Sequence, residues 1–172
     1  MKILIIGLVL ILLIPFFGLV WFFIATITSP SPPKPIITRG EFNIKLVYEI
    51  NGREFTIEDT IIIEFAGINH FSVNGKHRQW RHHLASNRQT KNILLLQLYD
   101  GSRIYYHVGS PNYYIGDLDV EIEQGAWYPF NAVFIARGNN QSSVGGPEGL
   151  LNEFGIRLIS WEYDLPIENS FK

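Results

Sequence analysis

The sequence predicts one N-terminal transmembrane helix followed by a mainly antiparallel β domain, a sandwich or an open barrel, with one or two short helices. Residues 3–27 form a single apolar run without a charge. Further along, two stretches of alternating apolar residues each flank a two-residue hairpin turn, Asn51-Gly52 and Asp100-Gly101. Short strands separated by Gly and Asn turns are typical of an antiparallel fold. The 172 residues fit one domain with an appendage.

The apolar run is long enough to cross a bilayer. At 1.5 Å per residue, 25 helical residues span roughly 37 Å, more than the ~30 Å hydrocarbon core. Pro15 lies mid-span, where it should kink the helix modestly. A cleaved signal peptide is the alternative interpretation, but its apolar region is shorter and ends at a small-x-small site. The sequence favours an uncleaved signal-anchor over residues 1–27.

The flanks of the run predict where the rest of the chain lies. Lys2 precedes the run, and Lys34 and Arg39 follow it, so the positive-inside comparison is nearly balanced. A short basic tail before a long apolar run favours an N-terminus inside the cell. The expected location is therefore the cell membrane, single-pass, with residues 28–172 outside the cytoplasm. Residues 28–36 contain four prolines and predict a stalk of about 25 Å in polyproline II conformation.

The first hairpin has a defined predicted register. Apolar residues alternate over 42–50, Asn51-Gly52 suits a type I′ turn, and the alternation continues after it. A two-residue loop pairs Tyr48 with Phe55, Leu46 with Ile57, Lys45 with Glu58, and Glu49 with Glu54. Residues 60–65 predict another strand.

The second half of the domain, which is expected to extend over 37–172, continues the β pattern. Residues 92–99 and 102–108 predict a hairpin, and the leucines at 94, 95, 96 and 98 suggest a central strand buried on both faces. Alternation over 118–123 and the apolar residues 130–136 predict two more strands. Residues 138–149 indicate a loop, 147–154 a short helix ending at Gly155, and 156–163 a closing strand.

Several segments resemble a known group of proteins. They read GEF at 40–42, YEING at 48–52, IEDT at 57–60, GSPxYYxGD at 109–117, GIxLISWE at 155–162 and IENSFK at 167–172. They are similar to a group of small membrane-anchored proteins of Gram-positive bacteria, over most of residues 40–172. The resemblance implies an anchored extracytoplasmic domain. It implies no activity, ligand, partner or functional residue.

Composition excludes several kinds of site. The chain has no cysteine, so a disulfide scaffold, a thiolate metal site and a cysteine nucleophile are excluded. Residues 41–172 carry 11 basic and 16 acidic side chains, a formal charge of −5, which argues against nucleic acid as a partner. Signatures of serine hydrolases, P-loop proteins, zinc proteases and dinucleotide-binding domains are missing from the sequence. The sequence therefore predicts no catalytic, cofactor-binding or metal-ligating residue and no cofactor.

One basic segment, residues 76–91, is the candidate contact surface. A lipid headgroup or an anionic polymer would be its partner, and a solvated connection with Trp80 and Leu84 packed on the core is the alternative. Its five cations are Lys76, Arg78, Arg81, Arg88 and Lys91.

Three further clusters have structural as well as functional interpretations. The histidines at 77, 82 and 83 lack the i,i+4 spacing and nearby carboxylate of a metal-binding helix. The acidic residues 117, 119, 121 and 123 are predicted to share one face of a strand. They could bind a divalent cation, or their charges could protect an edge strand from aggregation. The aromatic residues 105, 106, 113, 114, 127 and 128 suit a sugar-binding surface or a β core.

These observations favour a non-catalytic, membrane-anchored binding or interaction module. An accessory subunit of a membrane complex is the second hypothesis, and an unrecognised hydrolase is the third. The expected partners are the lipid bilayer, through residues 3–27, and a protein or an anionic surface.

Overall fold

The structure is a computed structural model that describes residues 17–18, 20–21, 23–24, 28–70, 75–117, 133–138, 140–144 and 146–171. In this part of the chain, the β domain has eight strands and two short helices. The strands are β1 (Arg39–Ile50), β2 (Arg53–Asn69), β3 (His77–Leu84), β4 (Ile93–Gln97), β5 (Arg103–Tyr106), β6 (Val133–Arg137), β7 (Asn140–Ser143) and β8 (Ile156–Tyr163), and the helices are α1 (Pro111–Tyr114) and α2 (Gly146–Phe154).

The strands form two four-stranded sheets. The order is β3-β2-β1-β8 in the first sheet and β4-β5-β6-β7 in the second. The pairings of β1 with β2 and β8, of β4 with β5, of β5 with β6 and of β6 with β7 are all antiparallel. The prediction of a mainly antiparallel β fold with two short helices is confirmed.

The chain divides into two compact units. The first contains Met1–Lys34 and Ala66–Gln79, and the second contains Pro35–Phe65 and Trp80–Lys172. In the first unit, the described residues between 17 and 28 are helical, and the Thr28 hydroxyl donates to the Ile24 carbonyl oxygen at 2.8 Å. Most of the predicted membrane segment, residues 3–27, lies outside the described residues. None of the described helices is long and apolar enough to cross a membrane.

The first hairpin has the predicted register. Tyr48 pairs with Phe55, Leu46 with Ile57, and Lys45 with Glu58. Asn51 and Gly52 have φ values of 51° and 79°, as a type I′ turn requires. The strand predicted over 60–65 is not separate, because β2 runs without interruption from Arg53 to Asn69.

The second hairpin is also present, but the prediction that its first strand is buried on both faces was wrong. Among the described strands β4 is the outermost of its sheet, and Leu94 is 42% exposed on it. The pairing with β5 shifts register between Leu94 and Leu96. At this irregularity the side chains no longer alternate strictly between the two faces of the sheet, so that Leu95 is buried and Leu96 is half-buried.

One hydrophobic core lies between the two sheets of the second unit. The phenolic oxygen of Tyr48 on β1 donates to the Leu95 carbonyl on β4 at 3.2 Å. The rings of Tyr106 on β5 and Trp161 on β8 lie 4.7 Å apart. Side chains of both sheets therefore meet across the core. Its fully buried members include Phe42, Leu46, Ile61, Ile63, Ile104, Tyr106, Tyr114, Val133, Leu150 and Ile156.

Two segments near the end of the chain differ in their outcome. The helix predicted at 147–154 is present as α2, and Gly155 follows it with φ 63° and donates its N–H to the Leu151 carbonyl at 2.9 Å. The loop predicted over 138–149 was wrong, because it contains β7. Every residue of β7 is exposed and polar, so the strand lacks the apolar alternation by which strands are recognised.

The motif GSPxYYxGD has a structural role in the second unit. Ser110 caps α1, since its hydroxyl accepts from the Asn112 N–H at 3.3 Å, and Pro111 occupies the first turn. The hydroxyl of buried Tyr114 donates to the Val108 carbonyl at 2.7 Å. Asp117, fully buried, accepts from the Trp80 indole N–H at 2.7 Å. The motif therefore ties a short helix to the core.

The end of the chain pairs with the start of the second unit. Pro35 forms a bridge with Phe171, and the Ile36 N–H donates to the Ser170 carbonyl at 2.9 Å. The Asn169 side chain accepts from the Ile37 N–H at 3.1 Å and donates to the Ile37 carbonyl at 2.9 Å. The pairing, named here the terminal clasp (35–37 with 169–171), begins inside the stretch that was predicted as stalk.

Replacing the clasp amide should weaken the fold slightly. Asn169→Ala removes two hydrogen bonds to the Ile37 backbone, and we expect a loss of about 1–2 kcal/mol in the free energy of unfolding. Asn152→Ala, on the exposed surface of α2, should change stability little. Urea unfolding followed by circular dichroism measures both variants. Equal midpoints for Asn169→Ala and the native chain would contradict a stabilising clasp.

Candidate functional site

Part of the basic segment is a strand: His77–Leu84 forms β3, and residues 85–91 belong to the connection to β4. Trp80 and Leu84 are buried, as predicted. Their burial follows a period of two, which also turns Arg78 inward at 5% exposure. A buried cation is tolerated only when partners satisfy it.

The five candidate cations belong to different parts of the chain. In the first unit, Lys76 Nζ donates to the Ser29 carbonyl at 2.7 Å and Arg78 donates to the Pro33 carbonyl at 3.2 Å. These two side chains hold the backbone of the predicted stalk. In the second unit, Arg81, Arg88 and Lys91 are exposed. The cations of the first unit are therefore bound to the stalk backbone, whereas those of the second unit are exposed. Their proximity in the sequence did not indicate this difference.

The histidines of the second unit are partly buried beside one another. Burial, with the charges of His107 and Lys91 next in importance, lowers the pKa of His82 to about 4. Burial also lowers the pKa of His107. The Nε2 atoms of His82 and His83 are buried without a hydrogen-bond partner among the described residues. Across all the residues that the structure describes, no group of three or more His, Asp or Glu side chains could hold a metal ion.

The other candidate clusters have divided outcomes. Asp117 is a buried partner of Trp80, and the rest of the acidic strand, at 119, 121 and 123, lies outside the described residues. Tyr106 and Tyr114 are core residues, whereas Tyr105 and Tyr113 are half-buried. Trp127 and Tyr128 lie outside the described residues.

A first groove, of about 590 Å³, lies on the first sheet and is rich in carboxylates. Its polar groups bind one another: Lys45 Nζ lies 3.1 Å from Glu58, and Asp164 accepts from the Asn43 backbone N–H at 2.7 Å. The hydrogen bond and charge of Glu58 raise the pKa of Lys45. Asp59 accepts from the Ser86 N–H at 3.1 Å. Because these groups are already paired, the groove offers little to a ligand.

A second groove, of about 530 Å³, lies on the second sheet and is named here the basic groove. Its lining includes Gln89, Lys91, Asn92, Arg103, Tyr105 and Gln141. Arg103 and Gln141 lie on either side of Ala136 in the register of β5, β6 and β7. Among the described residues, no carboxylate forms an ion pair with Lys91 or Arg103. The Asn92 Oδ1 atom is buried without a hydrogen-bond partner there.

The basic groove can bind a ligand but shows no catalytic arrangement among its described residues. Cations and amide groups bind anionic and hydroxyl groups, whereas acid–base catalysis needs a titratable group poised near neutral pH. Of these residues the sequence identified two as candidates, Lys91 in the basic segment and Tyr105 in the aromatic cluster. Arg103 alternates outward from buried Ile104 and Tyr106, a signal that was available. Gln141 gave no such signal, since β7 was not predicted.

The fold and the groove define a two-sheet antiparallel β domain with a cationic, ligand-sized surface groove. Comparison with protein families, curated proteins and solved structures finds no match for this chain.

Proposed function

We propose that the chain is a membrane-anchored extracytoplasmic binding module with a sandwich-like β domain, and that it binds its ligand in the basic groove without catalysis. Residues 3–27 anchor it in the bilayer, and the domain lies outside the cytoplasm. The 25-residue uncharged run supports the anchor, and the resemblance to membrane-anchored proteins agrees with it.

The basic groove is the observation that carries the binding function. Its two cations have no ion-pair partner among the described residues, and its volume falls in the ~300–1,000 Å³ range of small-ligand sites. The carboxylate groove on the other sheet is similar in size, but most of its charged groups (Lys45, Glu58, Asp59 and Asp164) have partners within the protein. Unpaired polar groups are those that gain most from a ligand.

Cysteine labelling tests the membrane placement, because the native chain has no cysteine. Tyr99 is fully exposed beside the second hairpin turn, so Tyr99→Cys adds a reactive thiol to the β domain. We expect a membrane-impermeant maleimide to label Tyr99→Cys in intact cells. Ile3→Cys, the matched control, keeps Lys2 and should react only after the cells are permeabilised. Labelling of Ile3→Cys and protection of Tyr99→Cys in intact cells would overturn the proposed orientation.

A further inference from the structure

The basic groove has the opposite charge to the domain that carries it. Its charged lining side chains are Lys91 and Arg103, whereas residues 41–172 have a formal charge of −5. At physiological salt, charges act over about 8 Å. A ligand in the groove therefore responds mainly to these two cations, and the groove selects for an anionic group.

The neutral lining of the groove adds a second requirement. Gln89 and Gln141 are exposed in the groove, and the oxygen of each side-chain amide is a hydrogen-bond acceptor. A phosphate or carboxylate group cannot donate to these oxygens, but a hydroxyl group can. The NH₂ groups of the same amides are donors that a hydroxyl oxygen accepts. The preferred ligand therefore carries hydroxyl groups as well as negative charge.

An apolar strip adjoins these polar groups. Leu94 is 42% exposed and is the register partner of half-buried Tyr105, which lines the groove. A tyrosine ring with a partly exposed face offers a flat amphipathic surface. Sugar rings have an apolar face and a hydroxyl-rich edge, so they match both parts of this surface.

We infer that the basic groove binds an acidic polysaccharide, with carboxylates on Lys91 and Arg103 and sugar hydroxyls on Gln89 and Gln141. The inference rests on the proposed binding function and names its ligand class. A lipid headgroup would satisfy the cations, but it has no ring with an apolar face to stack on Tyr105.

Binding of polygalacturonate to the full chain in neutral-detergent micelles tests this assignment. Arg103→Gln and Lys91→Gln should each weaken binding about two- to fivefold, since each removes one charge contact at an exposed side chain. Arg88→Gln is the matched control: Arg88 is exposed and lies three residues from Lys91, but it does not line the groove. Dextran, a neutral polysaccharide, should bind at least tenfold more weakly than polygalacturonate, and added salt should weaken polygalacturonate binding.

Four results would overturn the inference. They are equal binding of dextran and polygalacturonate, no binding of polygalacturonate, an equal loss with Arg88→Gln, and tighter groove-dependent binding of phosphatidylglycerol vesicles. If dextran binds equally and Tyr105→Ala abolishes its binding, the acidic class is wrong but the groove still binds a ligand. Maleimide labelling at position 99 reports membrane placement independently, so failure of the ligand assignment and failure of the proposed function are distinguishable.

Discussion

Gly116→Ala is expected to destabilise the second unit by about 2–4 kcal/mol. Gly116 has φ 67°, a conformation that alanine adopts only with strain. In addition, an added Cβ would overlap with the Ile167 carbonyl oxygen, which belongs to the backbone and cannot rotate away. The Ile167 N–H donates to the Tyr114 carbonyl at 2.9 Å, which holds this close approach in place.

Gly101→Ala separates the two causes. Gly101 also has a positive φ, 81°, but no atom lies within 4 Å of its added Cβ. Gly101→Ala should therefore lower the free energy of unfolding only through backbone strain, by about 1 kcal/mol. Thermal unfolding of both variants, followed by circular dichroism, should show a melting temperature about 5–12 °C below the native value for Gly116→Ala and a much smaller decrease for Gly101→Ala. Equal melting temperatures would show that contact with the tail contributes nothing.

Acidification should destabilise the domain through His82. The pKa of this histidine is about 4 in the fold, against an ordinary 6.5. Between these values the unfolded chain binds a proton that the folded chain does not, so stability is lost as the pH falls from 6.5 toward 4. We expect about 2 kcal/mol less stability at pH 5 than at pH 7.5 from this residue. The groups that surround it and share its electrostatics are His107, Lys91 and His83.

The slope of stability against pH is the measurement, because carboxylates contribute equally to native and variant chains. His82→Gln should flatten the slope between pH 7.5 and pH 5, whatever its effect at a single pH. Asn152→Ala, an exposed substitution that removes no titratable group, should leave the slope unchanged. Urea unfolding at pH 7.5, 6 and 5 gives the three slopes. A His82→Gln slope as steep as the native one would assign the acid sensitivity to other groups.

The parts of the fold that were predictable from the sequence depend on local signals. Asn51 and Gly52 define both the turn and the loop length, so the register from Lys45–Glu58 to Tyr48–Phe55 follows from counting. The helix stop at Gly155 and the closing strand β8 follow from similar local rules. None of these requires knowledge of a distant partner.

The parts that were missed depend on neighbours across the sheets. The segment around Arg78 was predicted to be a contact surface or a solvated connection because it is basic, whereas Arg78 is buried and donates to the Pro33 carbonyl, 45 residues away. Four leucines suggested a central strand, but the position of β4 in its sheet is decided by strand order, which the composition of one strand does not encode. The basic groove combines residues of four separate segments, so the sequence identified only Lys91, in a basic run, and Tyr105, in an aromatic cluster, without indicating that they share one site.

The terminal clasp also determines how the domain would respond to mechanical load. If the second unit is pulled by the chain segment that precedes it, the tension enters the unit at Pro35, its first residue. There the chain runs antiparallel to 169–171, and the hydrogen bonds that connect the two segments lie perpendicular to the chain direction. Bonds in this geometry are loaded in shear and share the force. The hydrogen bonds of the clasp would therefore have to break before the tension reaches β1, the strand that begins two residues after it.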